Sequence, residues 1–207
     1  ATRMDRPEWI VVSPKDGQVY CTLTNNAKRG EDGQPVGGPN PREKNVYGQI
    51  LRWRTDRDDH GAKTFSWDLF VVAGNPGVHA GTPKGGSSNI TPQNMFNSPD
   101  GLGFDNAGRL WIQTDGDSSN AGDFAGMGNN QMLCADPATG EIRRFMVGPV
   151  GCEVTGISFS PDQKTLFVGI QHPGENGGST FPEHLSNGKP RSSVIAISRE
   201  DGGIVGA

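Results

Sequence analysis

The sequence predicts an all-β protein: about three four-stranded blades of a larger β-propeller. Three observations lead there. The 207 residues include 31 glycines and 15 prolines but only 32% hydrophobic residues, a balance that calls for many turns and short strands. One unit of sequence recurs along the chain, which is the mark of a repeat architecture. Within each unit, apolar runs of strand length flank Pro/Asp/Gly turns.

The first copy is PEWIVVSPKDGQVYCTLTNN from Pro7, the second PDGLGFDNAGRLWIQTDG from Pro99, and the third VTGISFSPDQKTLFVGIQH from Val154. Each is an apolar strand, a turn, and a second strand built around an aromatic residue: Tyr20, Trp111 or Phe167. A further hairpin follows each copy: NVYGQILRWRTDRDDHGAKTFSWDLFVV, NQMLCADPATGEIRRFMVG and SSVIAISREDGGIVGA. Two hairpins make the four strands of a propeller blade. The expected blades span about residues 6–74, 98–149 and 154–207. Long Gly/Pro/Asn/Ser-rich loops at 25–45, 74–101, 116–130 and 172–191 follow a second strand or lead into a first one, so they gather at one rim.

Closed propellers have about four to eight blades, so three leave open faces. The chain is therefore expected to be a piece of a longer propeller, or to associate with itself so that two copies complete each other. A net charge of −4, without a basic run interleaved with aromatics, excludes a nucleic-acid surface. No run approaches the roughly 20 apolar residues of a membrane span, and no export signal is visible at the start. Cys21, Cys134 and Cys152 lack metal-ligand spacing and read as small strand residues.

Aligning the copies puts Glu8, Asp100 and Thr155 at one position, just before the first strand, and Glu153 in line with Arg6. Carboxylates gathered at a channel mouth repel one another unless a cation lies between them. Glu8 and Asp100 are thus candidate metal ligands, and oxygen donors suit calcium or ferric iron. Asp115 closes the second strand of its copy and is a further metal candidate, while His172, which closes that of the third, and Asn25 and Asn130 at the loop ends are candidate substrate contacts. Asn also forms turns for purely local reasons. Arg6, two residues from Glu8, suits a bidentate clamp on an anion such as phosphate; the plainer reading is a surface ion pair with Glu8. His60 falls at a hairpin tip, while His79 and His184 fall in long loops.

The motifs RPEW, YCTLTNN, NVYGQILRW, FNSPDGLGFD with AGRLWIQTDG, GNNQM, and GCEVTGISFSPD with FVGIQHPGE together resemble the PhoX-type alkaline phosphatases of bacteria. That resemblance implies a six-bladed, calcium-dependent, periplasmic or secreted enzyme that hydrolyses phosphate monoesters with calcium and iron. It implies that Arg6 is the phosphate-binding arginine and that Glu8 and Asp100 are metal ligands; Glu153 is added by position alone. Further ligands, including a cysteine and a glutamate on the iron, come from an N-terminal half, and none of the three cysteines here takes that part. Only the C-terminal portion is matched, so this portion alone is expected to hold an incomplete metal set, or none, and to be inactive. A single PDGL…GRLW pattern is shared with gluconolactonase-like propellers, which leaves a calcium-dependent lactone hydrolase as the rival enzyme. A non-catalytic propeller presenting its loops to a protein is the rival of a different class.

Overall fold

A computed structural model describes residues 2–183 and 187–207. Three antiparallel sheets follow one another along the chain. The first is β1 (Pro7–Val12), β2 (Val19–Leu23), β3 (Gln49–Thr55) and β4 (Phe65–Val72), side by side in chain order. The second is β5 (Pro99–Phe104), β6 (Leu110–Thr114), β7 (Gln131–Ala135) and β8 (Ile142–Val147), again in order. The third is β9 (Glu153–Phe159), β10 (Thr165–Gln171) and β11 (Ser193–Ser198). Neighbouring sheets meet along their first strands, β1 against β5 and β5 against β9. This is the stacking of a partial propeller.

The third sheet has three strands among the described residues, not the expected four. The residues after β11 turn at Arg199–Gly202 and then insert Val205 between the second and third sheets instead of pairing. Val205 donates its N–H to the Gln163 carbonyl, and Gly206 lies so close to Trp111 that a Cβ there would come within 2.7 Å of the indole. Burial of Val205 against Trp111 replaces a strand ladder.

The repeated aromatic is the wedge between sheets. Tyr20 packs edge-on against Phe70 and Phe104, and Trp111 against Phe145 and Phe159. Around them lie two apolar cores, one at each junction. Phe167 holds the same register position but is 39% exposed, because nothing among the described residues packs on the outer face of the third sheet. The outer face of the first sheet is open as well, with Phe65 54% and Trp67 45% exposed. Both end faces have the composition of an inter-blade core without the next blade. No helix among the described residues is long and apolar enough to cross a membrane.

The segment before β1 is held by a buried ion pair. Asp5 and Arg29 are both inaccessible, with Arg29 Nε 2.7 Å from Asp5 Oδ1 and Asn45 Nδ2 2.8 Å from Asp5 Oδ2. Arg29 also donates to the Pro35 and Arg3 carbonyls. Removing one partner strands a buried charge, so Asp5→Ala is expected to lower the unfolding free energy by about 3–5 kcal/mol in denaturant titrations. The neighbour of Asp5 is Arg6, so this network also fixes where that guanidinium begins.

Candidate functional site

Strand register superposes the three copies. Ile10 pairs with Cys21, Leu102 with Ile112, and Ile157 with Val168. Counting back from these pairs makes Glu8, Asp100 and Thr155 equivalent, and likewise Arg6, Ser98 and Glu153. Every first strand breaks register at the same place, just after the carboxylate position: between Pro7 and Ile10, between Pro99 and Leu102, and opposite Val168/Gly169. A bulge re-aims the side chains beside it and is common next to functional sites. Here it turns the first residues of β1, β5 and β9 toward a common rim.

Asp100 is the electrostatic centre. Its pKa is pushed up to about 6, first by burial and then by the nearby charges of Glu8, Glu153 and Asp115, with Arg6 opposing them. The carboxyl of Glu153 is also raised, by burial and by Asp115. Four carboxylates from three sheets therefore feel one another at one rim. Asp115, Glu153 and His172 each place one donor atom within 4.8 Å of the other two. His172 Nε2 lies 3.4 Å from Glu153 Oε2, and Gln171 Nε2 donates to that same oxygen at 2.8 Å. His172 Nδ1 is buried without a hydrogen-bond partner, although Glu175 lies 3.6 Å away.

Arg6 supplies the positive side of the rim. Its guanidinium donates to Asn25 Oδ1 at 3.3 Å and lies 3.6 Å from Glu8 Oε1, with its side chain half exposed. Asn25 in turn donates to Ser98 Oγ at 2.9 Å, and Ser98 to Asn97 Oδ1 at 3.0 Å. This chain of bonds connects the first and second sheets beside Asp100. Arg6, Ser98 and His172 all have positive φ (48°, 52° and 35°), a region non-glycine residues rarely enter. Such strain persists only where the surroundings enforce it, and it clusters at ligand clamps.

The predicted residues do not all serve the same purpose. Glu8, Asp100, Asp115, Glu153, Arg6 and His172 come together at the rim, and Asn25 orients Arg6. Asn130, a candidate substrate contact, lines the cleft beside the cluster but has its amide engaged within the protein. Its Oδ1 accepts from Thr114 Oγ1 and Gly116 N, both at 2.7 Å, and its Nδ2 donates to the Gly116 and Cys152 carbonyls. That exhausts a carboxamide, so Asn130 positions the Asp115–Gly116 turn instead. Ser98 was missed by sequence reasoning; its signal was the X-Pro-acid pattern shared by Arg6-Pro7-Glu8 and Ser98-Pro99-Asp100. His79 Nε2 pairs with Asp123 Oδ1 at 2.8 Å, tying loop 116–130 to loop 74–98. His60 is exposed between β3 and β4, and His184 lies outside the described residues.

Between the second and third sheets a cleft of about 500 Å³ opens beside this cluster, lined by Asp115, Asp117, His172 and Glu175 among others. The donor set, carboxylate oxygens of Asp115 and Glu153 with an imidazole nitrogen of His172, fits a hard or borderline cation. The mutual repulsion that raises Asp100 is what such an ion relieves.

The fold and rim define a partial β-propeller with carboxylates from three sheets and one arginine at its rim. The chain belongs to the alkaline phosphatase PhoX family, whose family model matches residues 1–174. Among solved structures it is similar to Pseudomonas fluorescens PhoX in complex with vanadate, a transition state analogue, at 95% identity and a TM-score of 0.99. That match covers 100% of this chain and 36% of the PhoX chain, so these residues span about a third of that protein's length. An endo-1,5-α-L-arabinanase from Thermotoga petrophila RKU-1 aligns with 79% of this chain and 33% of its own at 18% identity. Its TM-score of 0.41 is too low to bear on fold or function. No curated protein matches the chain.

Proposed function

We propose that this rim is one part of the active site of a metal-dependent phosphatase that hydrolyses phosphate monoesters, the rest being supplied by the parent protein beyond these residues. The observation that carries the reading is the close set of Asp115, Glu153 and His172 beside Asp100, whose carboxyl feels the charges of Glu8, Glu153 and Asp115, with Arg6 paired to Glu8. The similar Pseudomonas fluorescens PhoX, described in complex with vanadate, a transition state analogue, supports a phosphoryl-transfer role for the parent protein.

In this reading Glu8, Asp100, Asp115 and Glu153 hold calcium and iron, with His172 close enough to assist. Bound cations would neutralise phosphoryl oxygens and lower the pKa of a nucleophilic oxygen. Arg6 binds phosphoryl oxygens through its forked donors, and its attraction grows as charge builds up on them. Asn25 and Ser98 keep the fork aimed at the rim. Gln171 orients the Glu153 carboxylate. The parent enzyme is read as periplasmic or secreted, its blades being about residues 6–74, 98–149 and 154–207 here. This portion alone is read as unable to complete the metal set or turn over substrate.

Chelation tests the proposal. Stripping metals from the full-length protein should lower p-nitrophenyl phosphate turnover by at least about 100-fold, with recovery on adding calcium and iron. Undiminished turnover after verified metal removal would sink it. Lactone hydrolysis in place of phosphatase activity would favour the gluconolactonase-like reading.

A further inference from the structure

Thr22 lies on β2 opposite the bulge of β1. Its hydroxyl accepts the Trp9 N–H at 2.9 Å and donates to the Asp100 carbonyl at 2.8 Å, leaving a 3.5 Å approach to the Trp9 carbonyl as a weak alternative. The Trp9 N–H belongs to the peptide that follows Glu8, and the second partner is Asp100's own carbonyl. One hydroxyl thus spans two sheets and fixes the backbones that carry the two equivalent carboxylates. Thr22 is fully buried, so neither bond competes with solvent.

The repeat shows that the fold does not require this bridge. Register makes Gln113 and Gly169 the equivalents of Thr22. Gln113 is also fully buried, yet neither its Oε1 nor its Nε2 has a partner, and Gly169 has no side chain. Among the described residues, Thr22 ties the β1 bulge to the next sheet, Gln113 makes no such tie for β5, and the third sheet has no next sheet to be tied to.

We infer that Thr22 is a positioning residue for the cation site, setting the separation of Glu8 and Asp100 through the Trp9 N–H and the Asp100 carbonyl. The inference rests on the metal-dependent reading above. Carboxylates on two separate sheets can share an ion only if the sheets hold a fixed spacing, and tightness of the supporting bonds governs ligand geometry. Thr22→Val keeps the shape and removes the hydroxyl, whereas Thr22→Ser keeps the hydroxyl.

The test is calorimetric titration of calcium chloride into metal-stripped full-length protein, alongside steady-state kinetics. Thr22→Val is expected to weaken calcium binding about 10-fold and to raise the calcium concentration for half-maximal activity to match. At saturating calcium its kcat should return to within about 2-fold of the parent, and Thr22→Ser should bind nearly as the parent does. Unchanged calcium affinity in Thr22→Val, a loss shared equally by Thr22→Ser, or a kcat deficit that calcium does not relieve would overturn the positioning role. If the unsubstituted protein takes up no calcium in the same titration, the metal reading itself fails and takes this role with it.

Discussion

Replacing Asp100 by Asn is expected to stabilise the metal-free chain at neutral pH while abolishing metal-dependent phosphatase activity in the full-length protein. Both effects come from one carboxyl held partly buried among like charges. The Asp100 carboxyl titrates at about 6 in the folded chain, against about 3.9 for an unperturbed aspartate. The folded state therefore binds more protons than the unfolded state between those values, and stability falls as pH rises through that window. The loss is complete once pH exceeds the folded pKa. Asp100 is only half-buried, so screening reduces the penalty to about 1–2 kcal/mol.

Asparagine carries no charge and escapes that penalty. Asp100→Asn should therefore flatten the fall in stability between about pH 4 and pH 7 in denaturant titrations of the metal-free chain. Added calcium should raise the melting temperature of the parent chain more than that of the variant, because the ion gains most where repulsion was greatest. In the full-length enzyme, kcat/KM should drop by about 1000-fold or more, the loss expected when a metal ligand and its charge are removed together. A variant less stable than the parent at pH 7 without metal would contradict the electrostatic account. One that retained activity would remove Asp100 from the site.

Much of this was legible in the sequence because the chain repeats. Aligning Tyr20, Trp111 and Phe167 placed Glu8 with Asp100 and Arg6 with Glu153, and the strand registers make the same equivalences. The same alignment could not reveal how those side chains are aimed. The bulges after Glu8 and Asp100 depend on two residues facing one across a strand pair, and the apolar pattern does not mark them. Nor could it separate Asn25, which orients Arg6, from Asn130, whose amide is consumed by the Thr114 hydroxyl and by backbone groups of Gly116 and Cys152. The missing fourth strand of the third sheet has a similar cause. Val205 gains more from burial against Trp111 than from a ladder, and that competition is decided in three dimensions.

Arg6→Ala in the full-length protein is expected to weaken vanadate and phosphate binding and to lower kcat/KM by about 100- to 1000-fold, with the larger part in kcat. The side chain contributes little to the fold, being half exposed and only 3.6 Å from Glu8, and a pair in that setting is worth about 0–1 kcal/mol. Its backbone is another matter. Arg6 sits at φ 48° although it is not glycine, held there by the Thr24 N–H on its carbonyl and by the Asp5–Arg29 network just before it. A non-glycine residue in that region costs about 1–2 kcal/mol, so the chain maintains the strain to aim one guanidinium. Arg6→Gly should then be more stable than the parent in denaturant titrations yet as inactive as Arg6→Ala. Arg6→Lys should keep the charge and lose the fork, recovering only a small part of the vanadate affinity because an ammonium cannot bind two phosphoryl oxygens in one plane. Full recovery by lysine would show that Arg6 acts only as a point charge. Unchanged vanadate affinity in Arg6→Ala would remove it from the phosphate site, leaving the strained backbone at the start of β1 without a purpose in catalysis.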